Sequence, residues 1–185
     1  MRACLALVLV LLPGFAPAAS WHLDPSSTVS VSVPWRGTSV AVRFPELSGQ
    51  IEFDERAPAR ARAVIAADTT RATTGVAPVD ALVRGAGYLD AAEYPTVTFR
   101  LDQLVQTSKS TADVTGRLTL RGVTRPVSFR AKVFRYGPDP ADPSRFAAGF
   151  DISGAIDRTQ FGSTAGAPEV GVVLPVAIHL LMTSD

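Results

Sequence analysis

Between Val114 and Val133 the chain alternates apolar and polar residues on both sides of a turn at Arg121-Gly122-Val123-Thr124. Before the turn, Val114, Gly116, Leu118 and Leu120 share one face. After it, Val127, Phe129, Ala131 and Val133 share one face, while Arg117, Thr119, Ser128, Arg130 and Lys132 take the other. Side chains alternate sides along a strand, so a period of two specifies half-buried antiparallel strands. A short turn containing glycine specifies the hairpin that joins them, and Gly122 is expected at positive φ. Pro126 is expected near the start of the second strand, where it removes no interior ladder bond. Such a sheet has one dry face and one wet face, and what the dry face encloses decides what the protein can do.

The same period recurs along most of the chain. Val29, Val31, Val33 and Trp35 form one run, Val40, Val42 and Phe44 a second, Ile51 and Phe53 a third, and Ala61, Ala63, Ile65 and Ala67 a weaker fourth. Val97, Phe99 and Leu101 follow, then Phe150, Ile152, Gly154 and Ile156. Leu174, Val176, Ile178, Leu180 and Met182 close the series. Roughly eight to ten strands at regular spacing predict a barrel or a sandwich. One segment departs from the pattern: Pro78 to Arg84, with Pro near its start and Gly85 after its end, reads as a short helix. Leu89 to Tyr94 reads as a second helical turn, stopped before Pro95.

At the N-terminus, Arg2 precedes an apolar run from Leu5 to Phe15, and small residues follow at Ala16-Pro17-Ala18. This is the pattern of a secretory leader, and the run falls short of the roughly 20 apolar residues of a spanning helix. The expected division is a signal peptide over 1–20 and one domain over 21–185, with export to the periplasm. The one cysteine, Cys4, lies in the leader, so the domain has neither disulfides nor thiolate ligands. Losing Arg2 with the leader makes basic and acidic residues, 18 and 17 in the whole chain, equal in number. That balance gives no global attraction to nucleic acid.

The chain carries little that points to catalysis. Metalloprotease, phosphate-loop and dinucleotide motifs are absent. Gly162-Ser163-Thr164-Ala165-Gly166 has the glycine spacing of a nucleophile elbow but not its strand-to-helix setting. His22 and His179 are isolated, and a metal site needs three or four converging donors. Asp157-Arg158, just past the Ile156 strand, is expected to form an ion pair that orders the loop after it.

Five segments in order resemble the YceI family of periplasmic polyisoprenoid-binding proteins. They are Leu23-Asp24-Pro25, the strand Ser48–Asp54, Tyr88-Leu89-Asp90 through Tyr94-Pro95-Thr96 to Phe99, the hairpin Gly116–Val127, and Ile156-Asp157-Arg158-Thr159-Gln160-Phe161-Gly162. The chain departs from the family where histidines are common. Ser27 and Pro34 stand in the first strand region, and Asp80-Ala81-Leu82-Val83 keeps the Asp of an Asp-x-His-Leu pattern without its His.

The resemblance implies an all-β fold, an antiparallel eight-stranded lipocalin-like barrel with one or two short helices near its mouth. It implies a long isoprenoid (quinone or polyprenyl) or other amphiphilic lipid held inside, with no catalytic residues and no metal. By parity alone the inward side chains could equally fill the barrel, as a barrel of eight strands is just wide enough for either. Taken as ligand-binding are Phe44, Phe53, Phe99, Leu118, Phe129 and Phe150 within the barrel, Leu82, Tyr88 and Leu89 nearer its entrance, and Phe161. A transient membrane contact is compatible with this reading, and the sequence leaves the oligomeric state open. The other classes are a scaffold or stress protein with a filled barrel, and a lipid hydrolase or isomerase, which needs a converging acid/base set. Because the sequence shows no cluster of charges or imidazoles for a head group, the tail is expected to dominate binding.

Overall fold

The computed structural model describes residues 19–184. Its strands are β1 (Ala19–Leu23), β2 (Thr28–Trp35), β3 (Thr38–Phe44), β4 (Leu47–Phe53), β5 (Arg62–Asp68), β6 (Thr96–Gln106), β7 (Thr111–Leu120), β8 (Val123–Pro138), β9 (Phe146–Asp157) and β10 (Val173–Ser184). The α-helix α1 covers Ala77–Arg84, and single 3-10 turns lie at Pro58–Arg60 and Arg158–Phe161. The leader expected over 1–20 falls outside the described residues, except that Ala19 and Ser20 already belong to β1, opposite Phe53 and Glu52.

The sheet runs β1-β4-β5-β6-β7-β8-β9-β10, antiparallel throughout, and β1 pairs with β10 to close it. The result is a closed antiparallel barrel of eight staves. Two staves are interrupted. β10 pairs with β1 through Met182–Ser184 and with β2 through Val176–His179, so β1 and β2 are successive pieces of one stave. The break is the turn Asp24–Ser27, where the Ser27 hydroxyl donates to the Leu181 carbonyl (2.9 Å) and accepts from the Leu181 N–H (3.0 Å). A serine side chain thus substitutes for a missing rung, which gives Ser27 a structural role. β3 and β4 form the next stave, separated by Pro45 and Glu46. The edge of β3 is covered by paired bonds between Arg43 and Thr73, at 2.8 and 2.9 Å. Closure of β1 on β10 removes the long unpaired edges on which sheets aggregate, and the Arg43–Thr73 bridge shortens the one left on β3.

The parity read from the sequence holds through the central hairpin. Val114, Gly116, Leu118 and Leu120 are buried, as are Phe129 and Ala131, while Arg117, Arg130 and Lys132 are exposed. Leu120 pairs with Val123 around a two-residue turn in which Arg121 has φ 52° and Gly122 φ 70°. Two positive φ values are those of the type I′ hairpin turn, whose twist matches that of the strands. A Cβ at Gly122 would lie 2.9 Å from the Tyr94 ring. Gly122→Val is therefore expected to destabilise the fold by roughly 1 kcal/mol or more. Urea denaturation checks this, and an unchanged midpoint would refute it.

Two sequence expectations need correction. β8 starts at Val123, so Pro126 lies inside the strand. It is tolerated because pairing of β8 with β9 reaches only to Phe129, leaving no partner there for the missing N–H. Leu89–Tyr94 forms turns rather than a second helix. Asp90 has φ 53°, outside the helical region, so the backbone reverses there.

Candidate functional site

One end of the barrel is shut by aromatic packing. Trp21 meets Phe53 edge-on at 6.2 Å between ring centroids, and Phe53 meets Phe150 at 5.8 Å. Ile51, Ala148, Leu180 and Met182 complete this floor, and the Trp21 indole N–H donates to the Phe53 carbonyl at 2.9 Å.

Above the floor the barrel is hollow. A cavity of about 500 Å³ is walled by Val29, Val31 and Val33 of β2, Val40, Val42 and Phe44 of β3, Ile65 and Ala67 of β5, and Val97 and Phe99 of β6. Val114, Leu118 and Leu120 of β7, Phe129 of β8, Ile152 and Ile156 of β9, and Leu174, Val176 and Ile178 of β10 close the circle. Two features keep it open. Most of these side chains are short and β-branched and do not reach the axis. Two of the three phenyl rings, Phe99 and Phe129, also lie across glycines of neighbouring strands. A Cβ at Gly116 would come within 2.5 Å of the Phe99 ring, and one at Gly154 within 2.5 Å of the Phe129 ring. The rings use space that other side chains would have taken in the wall, and they meet edge-on at 5.9 Å.

The mouth is framed by α1, the segment Gly85–Asp90 and the loop after Arg158. Asp80 anchors the helix: it is buried and accepts from the Thr73 hydroxyl (2.7 Å), the Thr74 hydroxyl (2.6 Å) and the Thr74 N–H. The bonds from Thr74, then that from Thr73, bring its carboxyl down to about 2. Arg84 pairs with Asp80 at 3.5 Å and donates to the Ala72 carbonyl at 3.0 Å. Val79 and Val83 of α1 thereby line the cavity, and Leu82 lines its lip while remaining 59% exposed. Arg121, from the hairpin turn, donates to the carbonyls of Ala86 (2.7 Å) and Tyr88 (3.0 Å). This fixes Tyr88 and Leu89 against the cavity. Two of the sequence segments, the hairpin and Tyr88–Pro95, are thus parts of one rim.

Arg158 organises the third side. It is 2% exposed and donates from Nε to the Gly171 carbonyl (2.9 Å), from Nη1 to Ser163 (2.7 Å), and from Nη2 to Ala165 and Val170 (2.9 Å each). The Tyr88 ring lies 5.7 Å from its guanidinium carbon. The expected Asp157–Arg158 ion pair is not formed. Asp157 instead accepts from the N–H and hydroxyl of Thr159 (2.9 and 2.6 Å), and those bonds hold its carboxyl below the usual range. The apparent elbow at Gly162–Gly166 is the strap that wraps the Arg158 guanidinium.

Seven of the ten residues taken as ligand-binding line this one cavity: Phe44, Leu82, Tyr88, Leu89, Phe99, Leu118 and Phe129. Phe53 and Phe150 share their parity but sit lower, in the floor. Phe161, 2% exposed, packs with Leu118 and Leu120 and is not part of the cavity wall. Sequence reasoning gave Arg158 a part in ordering the loop after it, which the structure assigns to bonds with backbone carbonyls, but did not place it on the cavity wall, where it lies. The signal for that place was the run Gly162-Ser163-Thr164-Ala165-Gly166 four residues further on, residues with more backbone than side chain to offer. His179 points outward, accompanied by Asp151 (2.9 Å) and the Phe134 ring (4.6 Å). Among the described residues no Asp, Glu or His lines the cavity. What the arrangement can do is exclude water from an apolar chain and present a single cation beside it.

Comparison with known proteins agrees with this geometry. The family model of the YceI-like domain matches residues 21–182. A UPF0312 protein of Enterobacter sp. (strain 638) is 32% identical over 176 residues, covering 91% of this chain and 90% of that protein. Protein YceI of Escherichia coli O157:H7 is 37% identical over 118 residues, a shorter match covering 64% of this chain and 60% of that protein. Among solved structures, BcnA of Burkholderia cenocepacia superposes with a TM-score of 0.77 at 24% identity, covering 86% of this chain and 98% of that one. A polyisoprenoid binding domain from Saccharophagus degradans superposes with a TM-score of 0.69 at 17% identity, covering 90% and 99%.

Proposed function

The chain belongs to the YceI-like domain family, and we propose that its hollow barrel binds the tail of a long isoprenoid or similar amphiphilic lipid and carries it in the periplasm. The observation that carries this reading is the cavity of about 500 Å³, apolar along its wall, floored at one end and reaching the surface at the other. Trp35, Val76 and Leu82 line it and are also 46%, 54% and 59% exposed. That volume falls in the usual range for ligand pockets. The polyisoprenoid binding described for the Saccharophagus degradans domain supports the same ligand class. Export is part of the proposal, resting on the apolar segment Leu5–Phe15 and the small residues after it. A boundary after Ala18 keeps β1 whole. The exposed apolar lip gives a lipid-laden barrel a means of touching a membrane transiently during exchange.

Titration of the delipidated protein with isoprenoid alcohols or quinones of increasing length tests the proposal. Affinity is expected to rise with length and then level off once the cavity is full. Each buried CH₂ contributes about 0.8 kcal/mol at most, less the cost of ordering the chain. Absence of binding at every length would overturn the carrier and leave a scaffold barrel.

A further inference from the structure

Resting on that reading of the cavity, we infer that Arg158 receives the ligand's polar head, and that the head is a single uncharged oxygen acceptor, a carbonyl or a hydroxyl. The guanidinium has five N–H groups. Four are engaged by the carbonyls of Ser163, Ala165, Val170 and Gly171. One N–H of Nη1 remains, on a side chain that is 2% exposed and lies on the cavity wall. Among the described residues no carboxylate comes within ion-pairing distance of it. A buried cation without a counter-ion attracts the negative end of a dipole strongly, because little water screens it. Tyr88 and Ser163 line the wall beside it, whereas the rest of the lining is almost wholly aliphatic or aromatic. The polar end of a bound amphiphile therefore has one place in the cavity where its oxygen is matched.

The donor count also sets the class of head. A diphosphate needs several donors and more than one positive charge to be desolvated. Arg158 has spent its fork on the strap and offers one bond, and the neighbouring Tyr88 and Ser163 hydroxyls add neutral donors but no second positive charge. A quinone carbonyl or an alcohol needs no more than that. Head chemistry therefore adds one matched hydrogen bond to an affinity that the tail still supplies for the most part.

The test uses the delipidated wild-type protein with nitrogen-15-labelled arginine and three probes: geranylgeraniol, the hydrocarbon of the same skeleton, and geranylgeranyl diphosphate. Nuclear magnetic resonance follows the Arg158 guanidinium and the methyl groups of the cavity wall together. The alcohol is expected to shift both sets of signals, and the hydrocarbon the methyl signals only. Binding of the alcohol with methyl shifts but an unmoved guanidinium would overturn the inference and leave tail binding intact. Loss of all methyl shifts with every probe would overturn the carrier reading and this inference with it. Arg158→Met, which also assigns the guanidinium signal, is expected to weaken the alcohol about tenfold more than the hydrocarbon, as for one hydrogen bond to a charged group. Equal losses would overturn it. The diphosphate is expected to bind no more tightly than the alcohol, and tenfold tighter binding would overturn the single uncharged acceptor.

Discussion

Arg158→Met is expected to release the strap at the barrel mouth and to lower stability by about 3 kcal/mol or more. Met keeps much of the length and the apolar stem, so the loss is chiefly that of the four hydrogen bonds to the carbonyls of residues 163, 165, 170 and 171. A buried acceptor left without a donor costs about 1–3 kcal/mol. Four such costs do not simply add, because Thr164, Gly166, Ala167, Pro168 and Glu169 are exposed and the strap can open to water. The cost of opening therefore sets the limit. Opening also breaks the pairing of Trp35 with Val170 and the bond from the Gly171 N–H to the Pro34 carbonyl (2.7 Å). Urea denaturation should show the lower midpoint, and hydrogen exchange should rise at Gly162–Gly171 while the β7–β8 hairpin stays protected. A variant with the parent's midpoint and exchange pattern would show that the guanidinium is not what holds the strap.

Leu118→Arg and Thr119→Arg differ by one position and are expected to differ by several kcal/mol. Leu118 is 8% exposed, packs with Leu120 and Phe161, and faces the cavity. A guanidinium there meets no acceptor among its aliphatic and aromatic neighbours, so the barrel must open locally or take in water. Binding of an apolar tail should be lost with it. Thr119 faces outward, opposite Thr98 and Thr124, and gives up only a surface contact with the Thr124 hydroxyl at 2.8 Å. Its replacement should stay within about 0.5 kcal/mol, as exposed substitutions usually do. Thermal unfolding of the two variants checks the pair, and equal shifts in midpoint would refute the inward and outward assignment.

That assignment was available from the chain alone because parity is local. A strand's two faces are set by a repeat of two residues, and a short turn containing Gly122 between alternating runs has few conformations open to it. The inward set of β7 and β8, the positive φ at Gly122, the helix at α1 and an all-β class follow from patterns a few residues long, whereas the choice of barrel over sandwich came from the family resemblance. The five segments that resemble the family also lie in order along the chain, although their physical connection is not local. Arg121 reaches the carbonyls of Ala86 and Tyr88 across more than 30 residues, and the would-be Cβ of Gly122 abuts Tyr94.

Only the tertiary structure decided what the inward face encloses. Phe53, Phe129 and Phe150 have the same parity, yet two form the floor and one borders the cavity. Height along the barrel depends on how far each strand is staggered against the next, and no single strand carries that information. Whether the barrel is filled or hollow turned on Phe99 lying over Gly116 and Phe129 over Gly154, contacts made between strands. Closure of β1 on β10 joins residues from opposite ends of the described chain. The role of Arg158 was hidden for a related reason. Its partners are backbone carbonyls, which every residue possesses, so nothing in the identities of Ser163, Ala165, Val170 and Gly171 marks them as acceptors. Folding the strap around the guanidinium is what selects those four, and it places a cation on a wall that the sequence pattern showed only as apolar.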